Sequence, residues 1–184
     1  MQGSELAYRP ALRAEERQLH PQALVLEMGY WDELDWRQGG RQVNLGDPSF
    51  DREVAQRMRA FVKAVEMPHI PIVLLSVPLV DPLPWPDGSP APQASPTRHR
   101  IINALLQSLA KEYPRTVHYF DISPWVTPGG RFDAYVDGGI CRNSDGVHLY
   151  VGAFPNLTPT YCGEHLQEAF LAYVRELVLG GDHG

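Results

Sequence analysis

Asp145 and His148 stand three residues apart near the end of the chain, in the run Arg142-Asn143-Ser144-Asp145-Gly146-Val147-His148-Leu149. The glycine between them lets the backbone fold back so that a carboxylate meets an imidazole. In that arrangement the Asp accepts the Nδ1–H and fixes the tautomer, leaving Nε2 free to take a proton from a nucleophile. Those are the acid and the base of a Ser-His-Asp triad. Asp-x-x-His by itself is also what an ordinary surface turn looks like. The distinction rests on whether the rest of the chain sets this turn at the rim of an α/β sheet.

The hydrophobic periodicity supplies such a sheet. Ala23 to Met28 reads as a short buried strand ending at Gly29, Ile72 to Val77 as the clearest strand, and Thr116 to Ile122 as a third. Helices are expected between and after them. One opens at Asp47-Pro48 with Val54, Met58, Phe61, Val62 and Val65 on its apolar face. A second opens at Ser95-Pro96 with Ile101, Ile102, Leu105, Leu106 and Leu109. The last runs from about Gly163 to Leu179, and a short charged helix is expected over 11–19. Loops are expected from Trp36 through Gly39, Gly40 and Gly46, and from Ser123 to Ser144. Residues 79–95 form a proline-rich loop, and 180–184 a frayed tail. His118 reads as a structural strand residue.

Strands alternating with helices predict one α/β domain over 1–184: a three-layer α/β/α fold around a parallel, flavodoxin-like sheet. About three strands are present, and the sheet is incomplete on its N-terminal side. In such sheets ligands sit outside the carboxyl ends of the strands, where Gly29 to Asp32, Ser76 to Pro78 and the Asp-His turn belong.

The net charge of −6 over 184 residues argues against a nucleic-acid partner, because no phosphate-neutralising surface is supplied. No apolar run approaches the roughly 18 residues of a membrane span, and Met1 to Pro10 has no signal-peptide core. Cys141 and Cys162 bracket the Asp-His turn, either as two buried thiols or as a bridge tying it to the last helix.

The strand followed by Gly29-Tyr30-Trp31-Asp32, the helix-strand-helix-strand order, and Arg142 to Leu149 before a terminal helix together resemble the SGNH (GDSL-type) hydrolases. They look closest to SGNH domains associated with acyltransferases that modify cell-surface carbohydrate. The resemblance implies ester hydrolysis or acyl transfer, with Asp145 as triad acid and His148 as base. Gly29, Tyr30, Trp31 and Asp32 would match the oxyanion and substrate block, with Trp31 where that block has Asn. Arg142 would meet a substrate anion or hold its loop through backbone carbonyls. The resemblance further implies an acylated carbohydrate or small ester as substrate, no cofactor or metal, and a place outside the cytoplasm.

The family's Gly-Asp-Ser nucleophile block does not appear. Ser4 has no strand before it. Ser76 ends a strand where the pattern has a substrate-side loop. Ser123 and Ser144 are near the turn, but neither is expected both to follow a strand and to open a helix, as a nucleophile elbow requires. The nucleophile is therefore unassigned, and the chain is expected to be truncated and inactive alone, with 23–28 an exposed edge strand that can pair with another chain. Three other readings remain: a non-catalytic carbohydrate- or acyl-binding relative, a metal hydrolase using Asp145, His148 and Asp32, and an unrelated α/β interaction domain.

Overall fold

The computed structural model describes residues 18–150 and 161–180, with only the backbone of Tyr161. Three parallel strands form the central sheet: β1 (Leu24–Leu26), β4 (Ile72–Leu75) and β5 (Val117–Phe120), in the order β1-β4-β5. The register sets Leu24, Val25 and Leu26 beside Ile72, Val73 and Leu74, and β4 beside Val117 to Phe120. This is the expected three-stranded parallel sheet, with each strand shorter than the apolar run that announced it.

Alternation along β4 divides the core. Ile72 and Leu74 face helices α1 (Pro48–Val65) and α2 (Pro96–Glu112), and pack with Phe50, Val54, Met58, Val62, Ile102, Leu106 and Leu109. Val73 faces the other way, into a cluster with Phe120, Ile122, Val126 and the inner side of the last helix, α4 (Tyr161–Gly180), through Leu166, Phe170, Tyr173 and Val174. Helices on both faces of a parallel sheet give the three layers. Among the described residues β1 is an edge strand, and Val25 on its α4-side face is 45% exposed.

The helix starts follow their capping residues. The Asp47 side chain accepts the Ser49 amide before Pro48 opens α1, and the Ser95 hydroxyl accepts the Arg98 amide before Pro96 opens α2. The helix expected over 11–19 lies outside the described residues except for helical Gln18 and Leu19, and most of the frayed tail lies outside them too.

Two expected loops contain hairpins. β2 (Trp36–Gln38) pairs antiparallel with β3 (Arg41–Val43) across Gly39-Gly40, and β6 (Tyr135–Val136) pairs with β7 (Gly139–Ile140) across Asp137-Gly138. All four turn residues have positive φ, as type I′ hairpin turns require. The 123–144 loop also holds a short helix, α3 (Ser123–Val126). The proline-rich segment is irregular apart from a 3₁₀ turn at Pro92–Ala94, and Val80, Ala91 and Gln93 are buried along it.

Candidate active site

The Asp-His run forms a narrow hairpin closed from its base. The Tyr150 amide donates to the Cys141 carbonyl (2.9 Å), Arg142 and Leu149 bridge, and the Asn143 amide donates to the His148 carbonyl (2.8 Å). At the tip the Asp145 carboxylate serves two purposes. Its Oδ1 accepts the amides of Val147 (2.9 Å) and His148 (3.0 Å), while Oδ2 lies 2.7 Å from His148 Nδ1. A carboxylate facing Nδ1 assigns the proton there, so Nε2 carries the lone pair. The imidazole is 76% exposed and Nε2 has no partner among the described residues.

The same bonds govern the charge on the acid. The His148 hydrogen bond, followed by the Val147 amide, lowers the Asp145 pKa to about 2. Asp145 thus stays ionised wherever the turn is intact. A folded-state pKa below the ordinary carboxylate value contributes stability that is present above pH 3.8 and lost as pH falls toward 2. Asp145 is expected to titrate near 2 by carboxyl-carbon NMR, and nearer the ordinary value in His148→Ala. An unchanged midpoint in that variant would show that the imidazole does not set the charge.

The turn docks on the loop that follows β4. The Asp81 amide donates to the Gly146 carbonyl (3.0 Å), and the buried Arg142 guanidinium donates to the carbonyls of Leu79 and Val147 (3.1 Å each). Both loops leave the carboxyl end of the sheet, so the turn stands at the rim. Arg142 is 3% exposed, and desolvation lowers its pKa to about 10. Its two named contacts are carbonyls, which is the loop-holding role, and it lies buried rather than open to a substrate anion. Asp145 is held by His148 and backbone amides.

The other predicted rim residues follow β1. Gly29 adopts φ 106°, and a Cβ there would lie 2.6 Å from Ile102 Cγ1, so the close approach of this turn to α2 requires glycine. Residues Tyr30–Glu33 make a 3₁₀ turn. Tyr30 packs against the core, and its pKa is raised by burial, then by the charges of Glu33 and Asp145. Trp31 points outward, 67% exposed, with its ring edge-on to Tyr30 at 5.1 Å. Asp32 pairs with Arg57 at 2.6 Å. No three His, Cys, Asp or Glu side chains converge among the described residues in a way that could hold a metal ion.

Neither Ser76 nor Ser123 is brought to Nε2. Ser76 is 1% exposed, donates to Asp121 Oδ1 and accepts the Ile122 amide, both at 2.9 Å. Contrary to expectation, Ser123 does follow a strand, β5, and opens the short helix α3, with its amide donating to Asp121 Oδ1 at 3.0 Å, and Ser144 lies in the exposed hairpin itself. Ser4 lies outside the described residues. A cavity of about 50 Å³ lined by Ala55, Met58, Arg59, Leu105, Ser108 and Leu109 lies between α1 and α2, in neither of the loops that hold the turn.

Two polar residues near the rim escape a reading by sequence alone. Glu33 and His99 are 0% and 3% exposed, and Glu33 Oε1 contacts His99 Nδ1. His99 falls on the apolar stripe of α2 with Ile102 and Leu106, and a histidine among such neighbours signals a buried partner. Its identity, 66 residues away, has no local trace.

Cys141 and Cys162 are joined by a disulfide, with Cα atoms 5.7 Å apart and 21 residues of separation. It ties the base of the Asp-His hairpin to α4. A loop of that length corresponds to about 3 kcal/mol of stabilisation. The Cys141→Ala/Cys162→Ala chain is therefore expected to melt several degrees lower. Equal melting temperatures would show that α4 docks without the bridge.

Residues 7–152 match the model of a family described as "Protein of unknown function (DUF459)". A search of the curated proteins found no match. Among solved structures, the chain is similar to a GDSL-like lipase from Bacteroides thetaiotaomicron, with a TM-score of 0.53 and 16% identity, covering 94% of this chain and 71% of that one. At that identity the likeness speaks for the backbone: the same parallel sheet and flanking helices that carry the Asp-His hairpin here. With most of its length inside the family model, the chain belongs to the DUF459 family, and it has the SGNH/GDSL-type fold.

Proposed function

We propose that this is the acid-base part of an SGNH-type serine ester hydrolase or acyltransferase acting on O-acylated carbohydrate. Asp145 orients the imidazole and His148 shuttles the proton. The observation that carries the reading is the 2.7 Å contact between Asp145 and His148 Nδ1 at the strand rim, with Nε2 turned to solvent. The nucleophilic serine stands on a segment laid beside β1, whose outer edge has no strand partner among the described residues. That segment belongs either to the same polypeptide or to another chain. Trp31 offers an indole face suited to stacking on a sugar ring. The disulfide supports a place in an oxidising compartment, and no described helix is long and apolar enough to cross a membrane.

In the reaction, His148 Nε2 takes the serine proton as the oxygen attacks the ester carbonyl. It then gives that proton to the leaving alcohol, and the acyl-enzyme passes to water or to a sugar hydroxyl. The test is to express the longest in-frame product of the gene, label it with a fluorophosphonate and map the modified peptide. One labelled serine on a strand ahead of β1, with hydrolysis of p-nitrophenyl acetate, is the expected result. No labelled serine and no turnover would overturn it. The open Nε2 also suits a second reading, a relative that binds an acyl or sugar ligand without turnover.

A further inference from the structure

Glu33 and His99 form a second acid-imidazole pair, buried where the first is exposed. Glu33 closes the 3₁₀ turn after β1, His99 lies in the first turns of α2, and Glu33 Oε1 meets His99 Nδ1. The far nitrogen, Nε2, accepts the amide of Val80 at 3.3 Å. An amide can donate only to a nitrogen without a proton, so the imidazole proton sits on Nδ1 and points at Glu33. The carboxylate thereby fixes the tautomer that holds Val80.

Val80 lies between the two residues that dock the Asp-His hairpin. Leu79 gives its carbonyl to Arg142, and Asp81 gives its amide to Gly146. The groups facing the pair are few. Arg98 donates from Nη1 to the Glu33 carbonyl and from Nη2 to Asp35 at 2.6 Å, and Asp32 and Tyr30 lie along the same turn. Glu33 Oε2 is buried with no hydrogen-bond partner, so this carboxylate carries a desolvation cost that an apolar side chain of similar bulk would avoid.

We propose that Glu33 and His99 are positioning residues for the Asp145–His148 hairpin: the carboxylate sets the His99 tautomer, His99 anchors Val80, and the anchored 79–81 segment holds the hairpin at the rim. The inference builds on the reading of that hairpin as the acid-base pair, and it predicts a structural signal separable from activity. Neither residue touches substrate, and both act through the loop.

The test compares wild type with the Glu33→Leu/His99→Phe chain, which replaces both polar groups by apolar ones of similar bulk and so favours folding. Amide exchange at Val80 and Asp81 is expected to accelerate about 10- to 100-fold, while amides of β4 and β5 keep their protection. The downfield His148 Nδ1–H resonance is expected to broaden. In the longest in-frame product, kcat for p-nitrophenyl acetate falls with KM unchanged, and Glu33→Gln, which keeps an acceptor for Nδ1–H, restores most of it. Unchanged exchange at Val80 and Asp81 would overturn the proposal. A second measurement needs no variant. Imidazole ¹⁵N shifts in the wild type are expected to show His99 protonated on Nδ1 and bare on Nε2, and the opposite tautomer would overturn the proposal even where the double variant does not fold. A wild type without ester turnover counts against the hydrolase reading, and leaves the exchange and tautomer results to decide this one.

Discussion

His148→Ala is expected to lower p-nitrophenyl acetate turnover of the nucleophile-bearing protein by about 10⁶-fold, and Asp145→Asn by about 10⁴-fold. The asymmetry follows from the geometry. Removing the imidazole abolishes proton transfer itself. An amide at 145 leaves the ring in place, but its NH₂ group can occupy the position now filled by Oδ2, 2.7 Å from Nδ1, and then favours the wrong tautomer. The Val147 and His148 amides, which donate to Oδ1 at 2.9 and 3.0 Å, keep the turn in shape in that variant. Single-turnover kinetics on both variants, with fluorophosphonate labelling of the serine, would separate the base from the orienting acid. A His148→Ala protein that retains more than a few per cent of activity would exclude this imidazole as the base. The ligand-binding alternative makes the opposite prediction: binding survives His148→Ala, and the wild type has no turnover to lose.

Gly146→Ala is expected to destabilise the protein by about 3 kcal/mol and to part the hairpin from the 79–81 segment. Gly146 has φ 69°, and a Cβ there would lie 1.9 Å from the Asp81 carbonyl oxygen. That neighbour is backbone, and it adjoins the amide that donates to Gly146, so no side-chain rotation relieves the clash. Gly130→Ala is the control. Its φ is 70° and nothing lies within 4 Å of the added carbon, so it reports the backbone term alone, about 1 kcal/mol. Thermal melts of the two variants give the steric contribution by difference. Equal melting temperatures would mean that the hairpin and the post-β4 loop are not in contact in solution.

The Gly146 effect depends on packing between loops far apart in sequence, while other features are legible from the chain alone. The apolar runs at 23–28, 72–77 and 116–122 marked the three strands, and proline after a capping Asp or Ser marked the starts of α1 and α2. Periodicity reports burial, not pairing, which is why the apolar runs extend past β1 and β5 at both ends and past β4 at its carboxyl end. The two hairpins were legible in principle. Gly39-Gly40 and Asp137-Gly138 are dipeptides that favour the positive φ values found there, but the strands they join are only two or three residues long. Runs that short carry no alternation to notice.

The Asp145–His148 contact is legible in the chain's own spacing. The partners are three residues apart, and an aspartate that caps the next amides has its second oxygen within reach of the following histidine. What Arg142 does, where Ser76 points and what His99 binds come from packing between distant parts of the chain. Each of those groups finds its partner 45 to 66 residues away, at Leu79, Asp121 and Glu33. A short contact is written in the spacing of its residues. A long one exists only after the sheet has brought the carboxyl ends of its strands together and closed water out between their loops.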